Sequence, residues 1–236
     1  MVPHVHQIQI RNYKSIGRAV VNLSPFQLLV GANGSGKSNF VDALAFVRDC
    51  LADSVEVAFR NRGGIQAVRR RSSGHPTHVG IRLRMTLEAG THADYAFEIA
   101  ARPKEKFAIA RERCVIERPA GGRHLFEVAN GTFVREIEGI RPQVATDRLA
   151  LFAASATEEF RPVFDFLTAM QFYSIDPKQI RDLQEPDPGD TLARDGRNAA
   201  AVLKRLLDEP DRRESYEQLR QLLAAAVPGI ASVEYK

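Results

Sequence analysis

The chain has 236 residues, of which 44% are hydrophobic and 26% are charged, with a net charge of +4 and two cysteines. This composition excludes an intrinsically disordered chain, a collagen-like chain and a disulfide-stabilised scaffold. Because the longest apolar runs are far shorter than a membrane span, we expect a cytoplasmic protein with no membrane partner.

The chain begins with a pattern of short strands. The segments Val5–Tyr13 and 19–23 predict two strands, and the apolar run Phe26–Val30 predicts a third strand that is buried on both faces. A glycine-rich loop follows over Gly31–Gly36. Residues Lys37–Leu51 then have apolar side chains at helical spacing, which predicts a helix.

The middle of the chain is predicted to be β structure. Residues 53–76 show no regular pattern. Over residues 77–137, apolar side chains at every second position predict an antiparallel meander, with a hairpin turn at Asn130-Gly131.

The last third is predicted to be mainly helical. Apolar spacing indicates helices over 160–170, 198–207 and 215–226, with strands at 171–175 and from residue 230 onward. An acidic segment rich in Pro and Gly, about 182–197, is typical of a linker. We therefore predict an α/β protein in two segments. Residues 1–142 form a lobe with the glycine-rich loop and the β meander, and residues 143–236 form the helical segment, which ends at the start of a strand.

The positive charge is concentrated in one stretch. Residues 57–87 contain seven arginines and no acidic residue. A guanidinium forms paired hydrogen bonds with phosphate oxygens, so this stretch holds candidates for contact with nucleotide or nucleic-acid phosphates. The alternative is a solvated basic loop. The candidates are Arg62, Arg69, Arg70 and Arg71.

The sequence GANGSGKS, residues 31–38, fits the pattern G-x-x-x-x-G-K-[ST] at every fixed position. Glycines allow such a loop to wrap around phosphate oxygens, and the following helix adds unpaired N–H groups. In this pattern Lys37 bridges the β- and γ-phosphates and the Ser38 hydroxyl ligates Mg²⁺. The motif therefore predicts ATP and Mg²⁺ as cofactors. Its nucleotide-binding residues are Gly31, Gly34, Ser35, Gly36, Lys37 and Ser38.

The stretch GANGSGKSNFVDAL resembles the Walker A region of SMC/RecF-type ATPases within the ABC-ATPase superfamily. The opening IQIRNYKSIGRAVVNLSPFQLLVG is similar to the same proteins. The segments FYSIDPKQIRD and LARDGRNAAAVLKRL are similar to one branch of them, RecF-like ATPases of the AAA type. The resemblance implies the N-terminal lobe of a P-loop ATPase head of the ABC/SMC type.

The resemblance also implies an activity and further site residues. It implies ATP hydrolysis coupled to work on DNA, in repair, chromosome maintenance or phage defence. Asn33 and Asn39 join the nucleotide-binding set, and a glutamine senses the γ-phosphate. The candidates for this sensor are Gln143, Gln171 and Gln179, of which Gln171 is preferred.

Part of the family pattern is not found in the sequence. The family needs a Walker B strand that ends in Asp-Glu, a serine-rich signature motif and a late His. Val163-Phe164-Asp165 has the neighbours of a helix, and the run that begins at Phe172 ends in Asp176-Pro177 rather than in Asp-Glu. No catalytic residue is identified. We therefore expect a catalytically incomplete N-terminal half that works with a second ATPase head, either in a homodimer or as a C-terminal half in trans.

Two other functions remain open at this point. A nucleotide-binding subunit of an ABC transporter would need an aromatic residue that stacks on the nucleotide, for which Tyr13 is the candidate. A non-catalytic adaptor, gated by nucleotide, is compatible with the missing Walker B motif.

Overall fold

The computed structural model describes residues 2–72, 78–104, 106–119, 121–135, 146–229 and 233. The chain divides into two compact units, Met1–Met170 and Gln171–Lys236. The predicted boundary between residues 142 and 143 lies outside the described residues. So do the sensor candidate Gln143, the last two residues of the predicted meander and most of the predicted strand from residue 230.

The first unit is built on one antiparallel sheet, which has seven strands within the described ranges, in the order β2-β1-β3-β4-β5-β6-β7. Strands β1 and β2 lie within a few residues of their predicted positions, and β3 to β7 form the antiparallel meander that was predicted over residues 77–137. Strand β5 continues as far as Glu117, because Cys114 and Ile116 extend the buried alternation. The strands are β1 (His4–Tyr13), β2 (Ile16–Asn22), β3 (His78–Thr86), β4 (His92–Ala101), β5 (Phe107–Glu117), β6 (Arg123–Ala129) and β7 (Thr132–Arg135).

The helices follow the predicted pattern in part. Helices α1, α5, α7 and α8 agree with their predicted positions, whereas α2 and α3 lie in the stretch predicted to be irregular, because they are too short to show periodicity. The predicted strand at 171–175 is wrong, since these residues have no regular structure. None of the helices in the described part of the chain is both long and apolar enough to span a bilayer. The helices are α1 (Lys37–Ala52), α2 (Val55–Arg60), α3 (Ile65–Val68), α4 (Ala150–Ala154), α5 (Arg161–Thr168), α6 (Pro177–Arg181), α7 (Ala199–Asp208) and α8 (Arg213–Ala226).

The core of the first unit lies between one face of the sheet and helices α1 to α5. Phe46 of α1 is at its centre and is fully buried. Its ring centroid is 5.5 Å from that of Tyr13, 5.1 Å from that of Phe59 and 6.5 Å from that of Phe97. Such aromatic contacts add to the free energy gained by burying the rings, so α1 is held firmly against the sheet.

One carboxyl group lies inside this core. Glu112 of β5 is completely buried, and it accepts hydrogen bonds from the Tyr95 hydroxyl at 2.9 Å, from the Leu151 N–H at 2.8 Å and from the Ala150 N–H. Burial raises the pKa of Glu112 to about 7, although these hydrogen bonds favour the ionised form. Glu112 therefore connects the sheet to the beginning of α4.

The predicted buried strand at Phe26–Val30 is wrong. These residues form no strand, and the exposed fractions of Phe26, Leu28 and Val30 are 82%, 70% and 83%. A strand that is buried on both faces needs a neighbouring strand on each side and a layer above and below it. No described strand pairs with this segment, so its apolar side chains face solvent just before the glycine-rich loop.

The second unit contains a hydrogen-bonded turn within the segment predicted as an acidic linker. The Asn198 side chain is buried, accepts from the Ala193 N–H at 2.7 Å and donates to Asp187 and to the Thr191 carbonyl, both at 2.9 Å. Gly189 has a φ of +70°, and a Cβ there would lie 2.5 Å from the Ala201 carbonyl oxygen, so glycine is required. These contacts fix the chain before α7.

Candidate nucleotide site

The glycine-rich loop is shaped by two residues in the left-handed region. Gly34 has a φ of +80° and Gly36 has a φ of +95°, and residues with a Cβ rarely adopt such positive φ values. Helix α1 begins immediately after Gly36, with no capping side chain from the described residues and no acidic residue in its first turn. Its first N–H groups and its positive dipole end are therefore available to an anion.

The Lys37 ammonium lies over this loop. Its Nζ donates hydrogen bonds to the carbonyl oxygens of Gly31 at 2.6 Å and Ala32 at 2.9 Å, and it lies 3.4 Å from Ser35 Oγ. Because these contacts are exposed, the ammonium can exchange carbonyl oxygens for phosphate oxygens at low cost. Ser38 is exposed in the first turn of α1, as a hydroxyl ligand for Mg²⁺ requires. The donor groups of the loop thus fit a nucleotide phosphate.

The turn between β1 and β2 supports the loop from the side. Asn39 donates from Nδ2 to Ser15 Oγ at 2.7 Å, and the position of a Cβ on Gly36 lies 3.5 Å from the same oxygen. Ser15 therefore fixes the end of the loop and the start of α1. The sequence did not single out Ser15, because nothing in the motif indicates which distant residue contacts Asn39.

A charged cluster follows one turn later on α1. Asp42 accepts from the Tyr13 hydroxyl at 2.7 Å and from Arg62 Nε at 3.1 Å, and it forms an ion pair with Lys14 at 2.6 Å. Burial by itself would raise the pKa of Asp42, but the hydrogen bonds from Lys14 and Tyr13 and the charge of Arg62 outweigh it and lower the pKa. The cluster joins the end of β1 to α1 and to the turn that follows α2.

The arginines proposed for phosphate contact have separate surroundings. Arg62 is largely buried and is bound to two carboxylates, Asp42 and, at 2.8 Å, Asp49. Arg69 Nε donates to the Gln66 side chain at 2.8 Å, and the Arg70 guanidinium lies against Gly17. Arg71 is exposed, with a long contact of 3.4 Å to the Gln66 carbonyl. Phosphate contact stays a prediction for all four, and for Arg62 it would require an exchange of carboxylate partners.

The candidates for the γ-phosphate sensor and for nucleotide stacking lie in different surroundings. Gln171 and Gln179 both belong to the second unit and are exposed. Tyr13 is fully buried, its ring packs on Phe46 and its hydroxyl binds Asp42. Tyr13 is therefore not available to stack on a nucleotide, and the transporter alternative loses the residue on which it depended. Val163-Phe164-Asp165 lies in helix α5, as its neighbours predicted.

Three comparisons with known proteins bear on this site. The family model described as RecF/RecN/SMC N terminal domain matches residues 4–113, just under half of the chain. No curated protein matches the chain.

Solved structures of similar proteins include SMC and RecF chains. One, from work on ATP-driven dimerization and DNA-stimulated activation of SMC ATPases, has 15% identity and a TM-score of 0.36, and the match covers 90% of this chain and 96% of that one. RecF with ATP has 11% identity and a TM-score of 0.38, covering 98% and 47%. The Smc head domain of Pyrococcus yayanosii has 17% identity and a TM-score of 0.35, covering 95% and 37%.

The TM-scores of these three structures are all below 0.5, so no property of the site is inferred from them. The chain also spans less than half the length of the RecF and Pyrococcus Smc chains. The family match is different in kind, because it includes strands β1 and β2, the whole glycine-rich loop, helix α1 and the sheet as far as β5. Over residues 4–113 the chain is thus similar to RecF/RecN/SMC N-terminal domains, in agreement with the Walker A resemblance.

Proposed function

We propose that this protein is an ATP-binding and ATP-hydrolysing head of the SMC/RecF type, which acts on DNA together with a second ATPase component. The observation that carries the nucleotide part is the open N-terminus of α1 beneath the Lys37 ammonium, with Gly34 and Gly36 in left-handed conformations. An ATP phosphate chain matches this arrangement in charge and in hydrogen-bonding groups.

Each residue of the loop has a defined part in this proposal. Backbone N–H groups of the loop and of the first helical turn bind phosphate oxygens, and Lys37 adds a compact positive charge. Ser38 supplies a ligand to Mg²⁺, which would neutralise the phosphates when bound. Asn39 keeps the loop in place through Ser15. Gln171 is proposed as the γ-phosphate sensor on the family resemblance alone.

Work on DNA is supported by the family match and by the basic run Arg69–Arg71. Arginines suit the phosphate backbone because each can form paired hydrogen bonds with it. The family match covers an N-terminal domain, and we propose DNA as the substrate of the complete assembly.

A second component is supported by the exposed apolar segment Phe26–Val30. Its side chains have the pattern of a buried strand but face solvent next to the nucleotide loop. A strand from a further polypeptide segment would cover them, and the same segment would bring the missing Walker B acidic pair to the phosphates. We propose a second head or a C-terminal half in trans as the source.

Nucleotide binding is tested with a fluorescent ATP analogue and Mg²⁺. The wild-type chain should bind it, and Lys37→Ala should weaken binding at least tenfold. Lys106→Ala is the matched control, because Lys106 is an exposed lysine outside the loop. Equal affinity of the wild type and Lys37→Ala would contradict the proposed site.

Hydrolysis separates this function from the adaptor. The isolated chain should bind ATP but hydrolyse it poorly, and addition of a chain with a Walker B and signature motif should restore steady hydrolysis that Lys37→Ala abolishes. Steady hydrolysis by the isolated chain would overturn the proposed incompleteness. Nucleotide binding without any hydrolysis in the complemented mixture would favour the nucleotide-gated adaptor.

A further inference from the structure

The face of the sheet opposite the core is open and basic. The described helices of the first unit pack on the other face, so the side chains that point away from the core reach solvent. On β3 these include Arg82 and Arg84, which alternate with buried apolar residues, and on β5 they include Arg111 and Arg113, which lie on either side of the buried Glu112. None of these arginines belongs to the nucleotide loop.

A recess of about 290 Å³ opens on this face, and we call it the basic recess. Its charged lining consists of Arg82, Arg84, Arg113 and Arg123, with two carboxylates, Asp94 and Glu117. His6 and His92 complete the polar lining. Four guanidiniums against two carboxylates leave an excess of two positive charges, which repel each other unless an anion joins them.

Both carboxylates already form ion pairs with arginines of the basic recess. Asp94 accepts a hydrogen bond from Arg82 Nε at 2.7 Å and a second from the same guanidinium, and Arg84 Nε lies 3.4 Å from it. Glu117 lies 3.3 Å from Arg123 Nε in an exposed pair. Arg113 makes no hydrogen bond or ion pair with any described residue, although it is close enough to lower the pKa of Asp94. Arg113 and the loosely held Arg84 are therefore the groups that remain able to bind.

The pairing of the strands places these groups around one space. Arg82 of β3 and Arg113 of β5 lie opposite each other across Ala96 of β4. Two strand spacings separate their Cα atoms by about 10 Å. Arg84 follows Arg82 on the same face and pairs with Asp94. Arg84 and Arg113 therefore lie diagonally on the two sides of Asp94, and their guanidiniums can converge on one tetrahedral anion.

We infer that the basic recess is a second phosphate-binding site, distinct from the nucleotide loop, which takes the phosphoryl group of a polyanion. The shape and charge specify the phosphoryl oxygens rather than the molecule that carries them. The carrier is either a free phosphorylated compound or the backbone of a nucleic acid, and the test distinguishes the two. The site depends on neither the nucleotide loop nor the proposed hydrolysis.

The test measures binding of inorganic tripolyphosphate and of a 20-base-pair DNA duplex, all in a Lys37→Ala background that silences the nucleotide loop. The double substitution Arg84→Gln/Arg113→Gln should weaken tripolyphosphate binding at least tenfold. The control Arg60→Gln/Arg213→Gln removes the same charge from exposed helical positions and should change affinity less than twofold. Equal losses in the two double variants, or no binding of either probe, would overturn the site.

A substitution that increases anion affinity is also needed, because a misfolded variant would lose binding and not gain it. Asp94→Asn releases Arg82 and Arg84 from their carboxylate partner, so it should tighten anion binding several-fold. Weaker binding by a folded Asp94→Asn variant would contradict the inference. Displacement of the duplex by tripolyphosphate, with a salt dependence that Arg84→Gln/Arg113→Gln reduces, identifies nucleic acid as the carrier. Tripolyphosphate binding without any duplex binding identifies a free phosphorylated compound.

Discussion

Glu112 should make the stability of the first unit depend on pH in a direction opposite to that of most carboxyl groups. Its pKa is about 7 in the folded chain, and it returns to about 4.5 on unfolding. Between these values the folded state keeps the proton that the unfolded state releases. The contribution of Glu112 is therefore fully present below pH 4.5 and is lost as the pH rises through 7.

The size of the effect follows from the same two pKa values. With about 1.4 kcal/mol for each pKa unit, integration from pH 5 to pH 7.5 gives a loss of about 2 kcal/mol. The substitution Glu112→Gln removes this titration but keeps the side-chain shape. Because an amide has one acceptor oxygen, it also leaves one of the Ala150 and Leu151 N–H groups without its partner, at a cost of about 1–3 kcal/mol at pH 5.

Urea unfolding followed by circular dichroism at several pH values measures both chains. The quantity to compare is the difference in unfolding free energy between the wild type and Glu112→Gln, since other titrating groups cancel in it. This difference should fall by about 2 kcal/mol from pH 5 to pH 7.5. A difference that is independent of pH, or that grows with pH, would refute the view that burial governs this carboxyl group.

Three further predictions use the same unfolding measurement. Asp42→Asn removes the partner of Lys14 and Arg62 and should lower the free energy of unfolding by about 2–4 kcal/mol at pH 7. The loss should be smaller toward pH 3, because the pKa of Asp42 is lowered in the folded chain and its contribution disappears as the pH falls. An equal loss at both pH values would exclude ion pairing as the cause. Phe46→Ala should cost about 3–5 kcal/mol, since a fully buried ring is lost, and a cost below 1 kcal/mol would contradict the described core. Leu28→Ser should change the free energy of unfolding by less than about 0.5 kcal/mol, because this side chain is 70% exposed, whereas a loss above 2 kcal/mol would mean that it is buried.

Local patterns were sufficient for much of the first unit. Apolar and other side chains alternate over most of β3 and β4, because one face of these strands packs on the core. The conformation of the glycine-rich loop could also be predicted, since its glycines, Lys37 and the start of α1 all belong to one contiguous motif. Such features depend on residues that are near each other in the sequence.

Features that depend on distant partners could not be predicted in the same way. The segment Phe26–Val30 has the composition of a buried strand, but burial requires neighbouring strands that the described chain does not provide. Likewise, nothing near Arg62 in the sequence indicates that Asp42 and Asp49 of α1 would bind its guanidinium. Glu112 follows the alternation of β5 into the core, yet Ala150 and Leu151, whose N–H groups bind it, are 38 and 39 residues away.

The order of the strands also has a consequence for how the chain folds. Strands β3 to β7 pair with one another in the order of the sequence, whereas β1 pairs with β3 across about 70 residues that include the glycine-rich loop and α1. Closing so long a segment is slower than forming successive hairpins. The amides of the meander should therefore become protected from hydrogen exchange first during refolding. The glycine-rich loop should reach its final shape only when β1 docks.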